Sequence, residues 1–139
     1  MIEVLVIVGL PGSGKTRLAM DLMDDQTTLI DDLDKDVSRI QQFNDHPTPR
    51  LIITDPHLCH VSREAMERRI RGWFGECQIQ TISFANDPRA CWANIEGRAD
   101  GRLISWPGLV ALSKRYDPQQ WEQSRPVWST FNQEISDVL

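Results

Sequence analysis

The sequence has little cysteine, and what it has is poorly placed for crosslinking. Cys59, Cys77 and Cys91 are odd in number and widely spaced, which argues against a disulfide framework and for reduced thiols. His57-Leu58-Cys59-His60 contains metal-ligand residue types, but no second Cys/His pair completes it, so a zinc site is not expected. No apolar stretch reaches membrane-spanning length. Glu3 also sits inside the first apolar run, where a leader would need an unbroken one, and the chain is expected to be cytoplasmic. There is no internal repeat and no low-complexity segment. At 139 residues and 15.9 kDa, a single domain over residues 1–139 is expected, without large inserted domains.

The net charge of −5 and the pI near 5.1 speak against a nucleic-acid partner, yet the charges are segregated along the chain. Asp21, Asp24, Asp25, Asp31, Asp32, Asp34 and Asp36 crowd one stretch, whereas Arg63, Arg68, Arg69, Arg71, Arg89, Arg98, Arg102, Lys114 and Arg115 populate the second half. Most of these charges are explained as solvated helix faces, Asp21, Asp24 and Asp25 among them.

Against these absences stands one strong motif. Gly9-Leu10-Pro11-Gly12-Ser13-Gly14-Lys15-Thr16 has the G-x-x-x-x-G-K-[ST] spacing and follows the apolar run Ile2–Val8. The motif works between a strand and a helix, because its backbone N–H groups must point inward at phosphate oxygens. Gly12 and Gly14 let the backbone curl without Cβ clashes, and a helix starting near Lys15 adds its positive end. Lys15 is expected to reach the β/γ-phosphates and Thr16 to ligate Mg²⁺. The cofactors implied are therefore ATP and Mg²⁺, with Gly9, Pro11, Gly12, Ser13, Gly14, Lys15 and Thr16 as the binding loop.

Strands and helices alternate downstream. A helix over about 15–24 precedes a short strand near Thr27–Ile30 and a polar, helix-compatible segment through Phe43; Asn44–Arg50, with Pro47 and Pro49, reads as a connecting loop. Leu51-Ile52-Ile53-Thr54 is a buried strand ending at Asp55. Ser62 caps a helix whose Met66, Ile70 and Trp73 share a face. Gln78–Phe84 is a further strand, and Asp87-Pro88 supplies an N-cap with proline at the first helical position. Another helix begins near Pro107. The tail, about 117–139, holds Trp121, Trp128 and Phe131, with Thr130 and Gln133 spaced as a capping box, and is expected to pack as a final helix. This alternation implies an α/β fold, a P-loop NTPase core in which a parallel sheet carries helices on both faces and binds ligands at the strands' carboxyl ends.

Acidic residues fall where that site is expected. Asp55 has the placement of a Walker B aspartate able to hold Mg²⁺ or its water. Asp31-Asp32-Leu33-Asp34-Lys35-Asp36-Val37-Ser38-Arg39 follows the second strand and offers a carboxylate to take the proton of an acceptor hydroxyl. Facing alone does not choose among Asp32, Asp34 and Asp36.

In these motifs the sequence resembles the polynucleotide-kinase-like P-loop kinases over roughly residues 2–115. The phosphate loop matches first. Asp36-Val37-Ser38-Arg39 is similar to the family's D-x-x-R element, which implies Asp36 as general base and Arg39 as a substrate-phosphate ligand, with Asp34 beside it on the substrate side. Ile52-Ile53-Thr54-Asp55-Pro56-His57-Leu58 resembles the family's apolar strand and aspartate. Arg98-Ala99-Asp100-Gly101-Arg102, followed by Pro107, resembles its R-x-x-x-R lid, here about 97–106. Guanidinium groups on such a lid neutralise charge that develops on the transferred phosphoryl group. The segment between the second and third strands is shorter than in that family, which leaves the acceptor open.

The resemblance implies an ATP-dependent kinase acting on a hydroxyl of nucleic acid. The candidates are a 5′-hydroxyl end or a hydroxymethylated pyrimidine within DNA, the latter a substrate of some phage kinases similar to this family. Arg63, Arg68, Arg69 and Arg71 offer a track for a nucleic-acid backbone, although the interleaved Glu64 and Glu67 fit a salt-bridged helix surface equally well. Trp106 is read as core in preference to a base-stacking platform. A second reading, a small-metabolite kinase, follows from Asp32-Leu33-Asp34, which resembles the D-x-D of shikimate-kinase-like enzymes. A third, a nucleotide-binding switch or ATPase, has only the phosphate loop in its favour.

Overall fold

The computed structural model describes residues 1–33, 37–97, 104–121 and 124–129. Asp34, Asp36, Arg98, Arg102, Thr130, Phe131 and Gln133 lie outside the described residues. Five strands, β1 (Ile2–Val8), β2 (Thr27–Ile30), β3 (Arg50–Ile53), β4 (Cys77–Phe84) and β5 (Ser124–Arg125), form one sheet in the order β2-β3-β1-β4-β5. Every pairing is parallel. The helices are α1 (Lys15–Leu22), α2 (Val37–Asp45), α3 (Arg63–Phe74), α4 (Pro88–Glu96) and α5 (Trp106–Arg115).

The near-continuous apolar run of β1 is what a central parallel strand requires, since both of its faces are covered. Val4, Val6 and Val8 point into the larger core beside Ile30, Leu51, Ile53, Met66, Ile70 and Leu109. Ile7, with Leu5 packed alongside, joins Ala19, Ile52 and Phe84 on the other face, beneath α1. The register fits this division, because Val4 sits opposite Leu51 and Leu5 opposite Ile52. Parallel neighbours therefore present their side chains to the same layer. Each fully buried aliphatic chain contributes about 1.5–3 kcal/mol.

Helix boundaries follow their capping residues. Ser62 Oγ accepts from Ala65 N at 3.2 Å and Asp87 Oδ1 from Ala90 N at 3.1 Å, both as the sequence predicts. Ser105 Oγ does the same for Gly108 N at 3.1 Å, so α5 begins at Trp106, with Pro107 inside its first turn. Met66 and Ile70 are buried, four residues apart on α3.

Two sequence expectations differ from the structure. Within the segment expected to be a helical tail, a short 3₁₀ helix at Pro118–Gln120 leads instead to β5, which extends the sheet beside Phe84. Two exposed residues bounded by Pro126 carry no strand periodicity. Trp106, read as core, is 38% exposed and packs edge-on against Trp92, with ring centroids 5.8 Å apart. No helix among the described residues is long and apolar enough to cross a membrane.

Candidate functional site

The strand order places a switch point between β1 and β3. From β1 the chain crosses to β2 on one side, and from β3 it crosses to β4 on the other, so the two outgoing connections diverge and leave a crevice at the strands' carboxyl ends. The phosphate-loop motif leaves β1 there, and Asp55 leaves β3 there.

Gly12 and Gly14 adopt φ of 82° and 109°, the left-handed backbone that L side chains disfavour. Ser13 N donates to Leu10 O at 3.1 Å and closes the turn. Gly14 is the N-cap of α1 and supplies no side-chain cap, so the first N–H groups of that helix face the loop's interior without competition from a capping side chain. Ser13 Oγ is buried and has no hydrogen-bond partner among the described residues. These features fit a polyphosphate. Lys15, 8% exposed, donates from Nζ to Gly9 O at 2.9 Å and Leu10 O at 3.0 Å, which folds its ammonium back over the loop. Thr16 follows in the first turn of α1, half-buried.

Neighbouring elements hold the loop in place. Asn94 of α4 donates through Nδ2 to Gly12 O at 2.9 Å and to Trp128 O at 2.7 Å. Trp128 N donates to Ser13 O at 2.9 Å, and the Arg17 guanidinium lies 4.3 Å from the centroid of the Trp128 ring, within cation–π range. A Cβ on Gly12 would stand 2.5 Å from Cys91 O, and one on Gly14 would stand 2.7 Å from Trp128 Cβ. Glycine at both positions thus serves packing as well as conformation.

The acidic half is equally constrained. Asp55 is only 1% exposed; its Oδ1 accepts from His57 N at 2.8 Å and its Oδ2 from Leu33 N at 3.1 Å. Thr54 Oγ1 donates to Asp31 Oδ1, and Thr54 N donates to Ile30 O at 3.2 Å. The exits of β2 and β3 are thereby tied together, and Asp32 is carried next to Asp55. Asp32, Asp55 and His57 each place a potential ligand atom within 4.8 Å of the other two.

Of the potential donors in His57-Leu58-Cys59-His60, His57 alone joins a group of three ligand atoms among the described residues. Cys59 is buried and donates from Sγ to Pro56 O at 3.2 Å; burial pushes its thiol pKa up, with partial relief from Lys15. The rings of His57 and His60 stand 6.5 Å apart. Burial, then the nearby Arg115 and His57, pushes the His60 pKa down.

Of the residues picked out in the sequence, Gly9, Pro11, Gly12, Ser13, Gly14, Lys15 and Thr16 form one loop at the switch point, with Asp55 on the adjacent strand end. Arg39 lies exposed in the first turns of α2. The base Asp36, the substrate-side Asp34 and the lid arginines Arg98 and Arg102 lie outside the described residues. Sequence reasoning missed Asn94, Arg17 and Trp128, which act through contacts with no local spacing signal. It also missed His57 as a neighbour of Asp32. The proline after Asp55 was the available cue there, because it starts the 3₁₀ helix (Pro56–His60) that turns His57 back.

No protein-family model matches the chain. Among solved structures, a gluconokinase from Sinorhizobium meliloti 1021 superimposes with a TM-score of 0.62 over 99% of this chain and 89% of that one, at 10% sequence identity. At that identity the likeness is one of fold alone: an α/β core whose parallel sheet is flanked by helices, consistent with a P-loop NTPase core. It does not single out polynucleotide kinases. In sequence, the chain is 30% identical over 127 residues to an uncharacterized protein of Acanthamoeba polyphaga mimivirus, covering 83% of this chain and 86% of that protein. The chain belongs to the same family as this mimivirus protein.

Proposed function

We propose that the protein is an ATP- and Mg²⁺-dependent phosphotransferase whose acceptor is a hydroxyl on a small metabolite. The observation that carries this reading is the meeting of the phosphate loop after β1 with the buried Asp55 after β3, at one switch point of a β2-β3-β1-β4-β5 sheet. The whole-chain likeness in fold to a gluconokinase favours a small hydroxylated acceptor.

In this reading the loop N–H groups and Lys15 hold the β- and γ-phosphates, and Thr16 and Asp55 hold Mg²⁺ or its water. Bound Mg²⁺ supplies charge neutralisation on the phosphate oxygens. The acceptor hydroxyl approaches from the β2 and β3 exits, where a carboxylate of the Asp32–Asp36 stretch takes its proton. Asp36 keeps the role of base that the resemblance implies, with Arg39 and Asp34 on the substrate side and Arg98 and Arg102 neutralising the transferred phosphoryl group.

A nucleic-acid acceptor is the finer reading that the four ordered sequence blocks favour. On α3, however, Arg63 and Arg71 both pair with Glu67, at 3.4 and 3.6 Å. Two of the four arginines that would track a nucleic-acid backbone are therefore engaged in a salt-bridged helix surface.

Transfer from labelled ATP tests both readings in one panel of small polyols and sugar acids, nucleosides, a 5′-hydroxyl oligonucleotide and a duplex carrying hydroxymethyl bases. Label in the small hydroxylated acceptors is expected. Label confined to nucleic acid would replace the metabolite reading, and hydrolysis unaffected by any acceptor would sink phosphotransfer altogether.

A further inference from the structure

We propose that Asp32, Asp55 and His57 form a divalent-cation site of two carboxylates and one imidazole, selective for first-row transition cations such as Co²⁺, Mn²⁺ or Zn²⁺ over Mg²⁺. It shares Asp55 with the phosphotransfer reading but requires neither nucleotide nor acceptor.

An acidic pair at a strand end is ordinary, and two further observations distinguish this one. The first is that the third donor is a nitrogen. His57 is delivered by a separate element, the 3₁₀ helix that Asp55 itself caps and that Pro56 starts. Mg²⁺ prefers an all-oxygen shell, whereas imidazole suits later first-row cations. The second is the state of Asp55. It is a carboxylate 1% exposed, and its two hydrogen bonds among the described residues come from uncharged backbone N–H groups, those of Leu33 and His57. A carboxylate taken out of water favours a cation beside it, and its two oxygens retain lone pairs beyond these bonds.

The geometry is close to what an ion needs. Donors about 2.1 Å from a metal lie about 4.2 Å apart when opposite and about 3 Å apart when adjacent. The three ligand atoms lie within 4.8 Å of one another, so the widest pair needs to close by no more than about 2 Å to reach adjacent positions. Asp55 is fixed by its backbone donors. His57 is exposed, so its side chain has the freedom to close, and the exposed side leaves coordination positions for water or an oxygen-bearing ligand.

The test uses the full chain with Co²⁺ alone, read by visible absorption, and with Mn²⁺ alone, read by the loss of its free EPR signal. One bound ion with nitrogen and oxygen ligands is expected. His57→Ala should weaken its binding by about tenfold or more, and Asp32→Asn should weaken it too, while His60→Ala and His46→Ala should leave it unchanged. His57 is exposed, so its variant should fold, which circular dichroism would verify. Failure of the wild-type chain to bind Co²⁺ or Mn²⁺ overturns the proposal, as do wild-type affinity in His57→Ala, displacement by equimolar Mg²⁺, or a thiolate charge-transfer band that places the ion on a cysteine. Because no ATP is present, such a failure leaves phosphotransfer standing, and failure of phosphotransfer leaves this site to be judged on binding.

Discussion

The side-chain amide of Asn94 bonds to the carbonyl of Gly12, 82 residues earlier in the chain, at 2.9 Å. The same nitrogen reaches Trp128 O, so one amide group ties α4, the phosphate loop and the segment after β5 together. Asn94→Leu keeps the approximate volume and removes both donors, leaving two half-buried carbonyls short of a partner. A loss of about 1–3 kcal/mol is expected, seen as a fall of several degrees in Tm. Nucleotide affinity should fall with it. Unchanged Tm and affinity would mean that the loop holds its shape without this tie.

Gly12 and Gly75 separate conformation from packing. Both have positive φ, 82° and 78°, but a Cβ on Gly12 meets Cys91 O at 2.5 Å and Ile95 Cγ1 at 2.8 Å, whereas one on Gly75 meets nothing within 4 Å. Gly75→Ala should cost only the backbone penalty of its φ of 78° and ψ of −164°, a region essentially reserved for glycine, about 1–3 kcal/mol. Gly12→Ala should cost more and abolish nucleotide binding, because the obstructing atom is backbone on a neighbouring helix. Urea denaturation of the two variants compares them directly, and equal costs would refute the packing argument.

Lys15 offers a third test. Its ammonium rests on the carbonyls of Gly9 and Leu10, within reach of whatever occupies the loop. Lys15→Ala should lower affinity for a nucleoside triphosphate at least about tenfold while barely affecting adenosine, because the lost contact is to terminal phosphates. Calorimetric titration with each ligand measures the difference. Equal losses for both would point to a collapsed loop and not to a missing phosphate contact.

These residues also show how far the sequence could be read. The phosphate loop, Asp55 and the caps at Ser62 and Asp87 depend on near neighbours, so their spacing alone discloses them. The parallel sheet was legible for the same reason: the apolar run Ile2–Val8 is too continuous for a strand with a wet face. Asn94, Trp128 and Arg17 meet the loop only through tertiary packing, and no window of sequence holds both partners. β5 escaped because two residues show no periodicity. His57 was visible as a metal-ligand type but was grouped with Cys59 and His60, its neighbours in sequence, whereas the turn at Pro56 sends it toward Asp32.

Tyr116 is the single tyrosine of the chain. It is 4% exposed, and its hydroxyl donates to Phe84 O and, at 3.4 Å, to Val8 O, at the ends of β4 and β1 beside the phosphate loop. Burial is the main cause pushing its pKa well above the ordinary value, with the neighbouring Cys59 and Cys91 adding to the rise. A raised folded-state pKa means that the unfolded chain loses this proton first. The stabilisation is therefore complete below the unfolded value, near 10, and is lost as pH rises from there toward the folded value. Tyr116→Phe should cost about 0.5–1.5 kcal/mol at neutral pH through the lost hydrogen bonds, yet it should be less sensitive to alkali than the wild type between roughly pH 10 and 11. With one tyrosine present, absorbance at about 295 nm follows its ionisation without interference from another phenol. A folded-state midpoint at the ordinary tyrosine value, or equal alkaline slopes for both proteins in urea denaturation, would show that the hydroxyl is not held at the junction of β1 and β4.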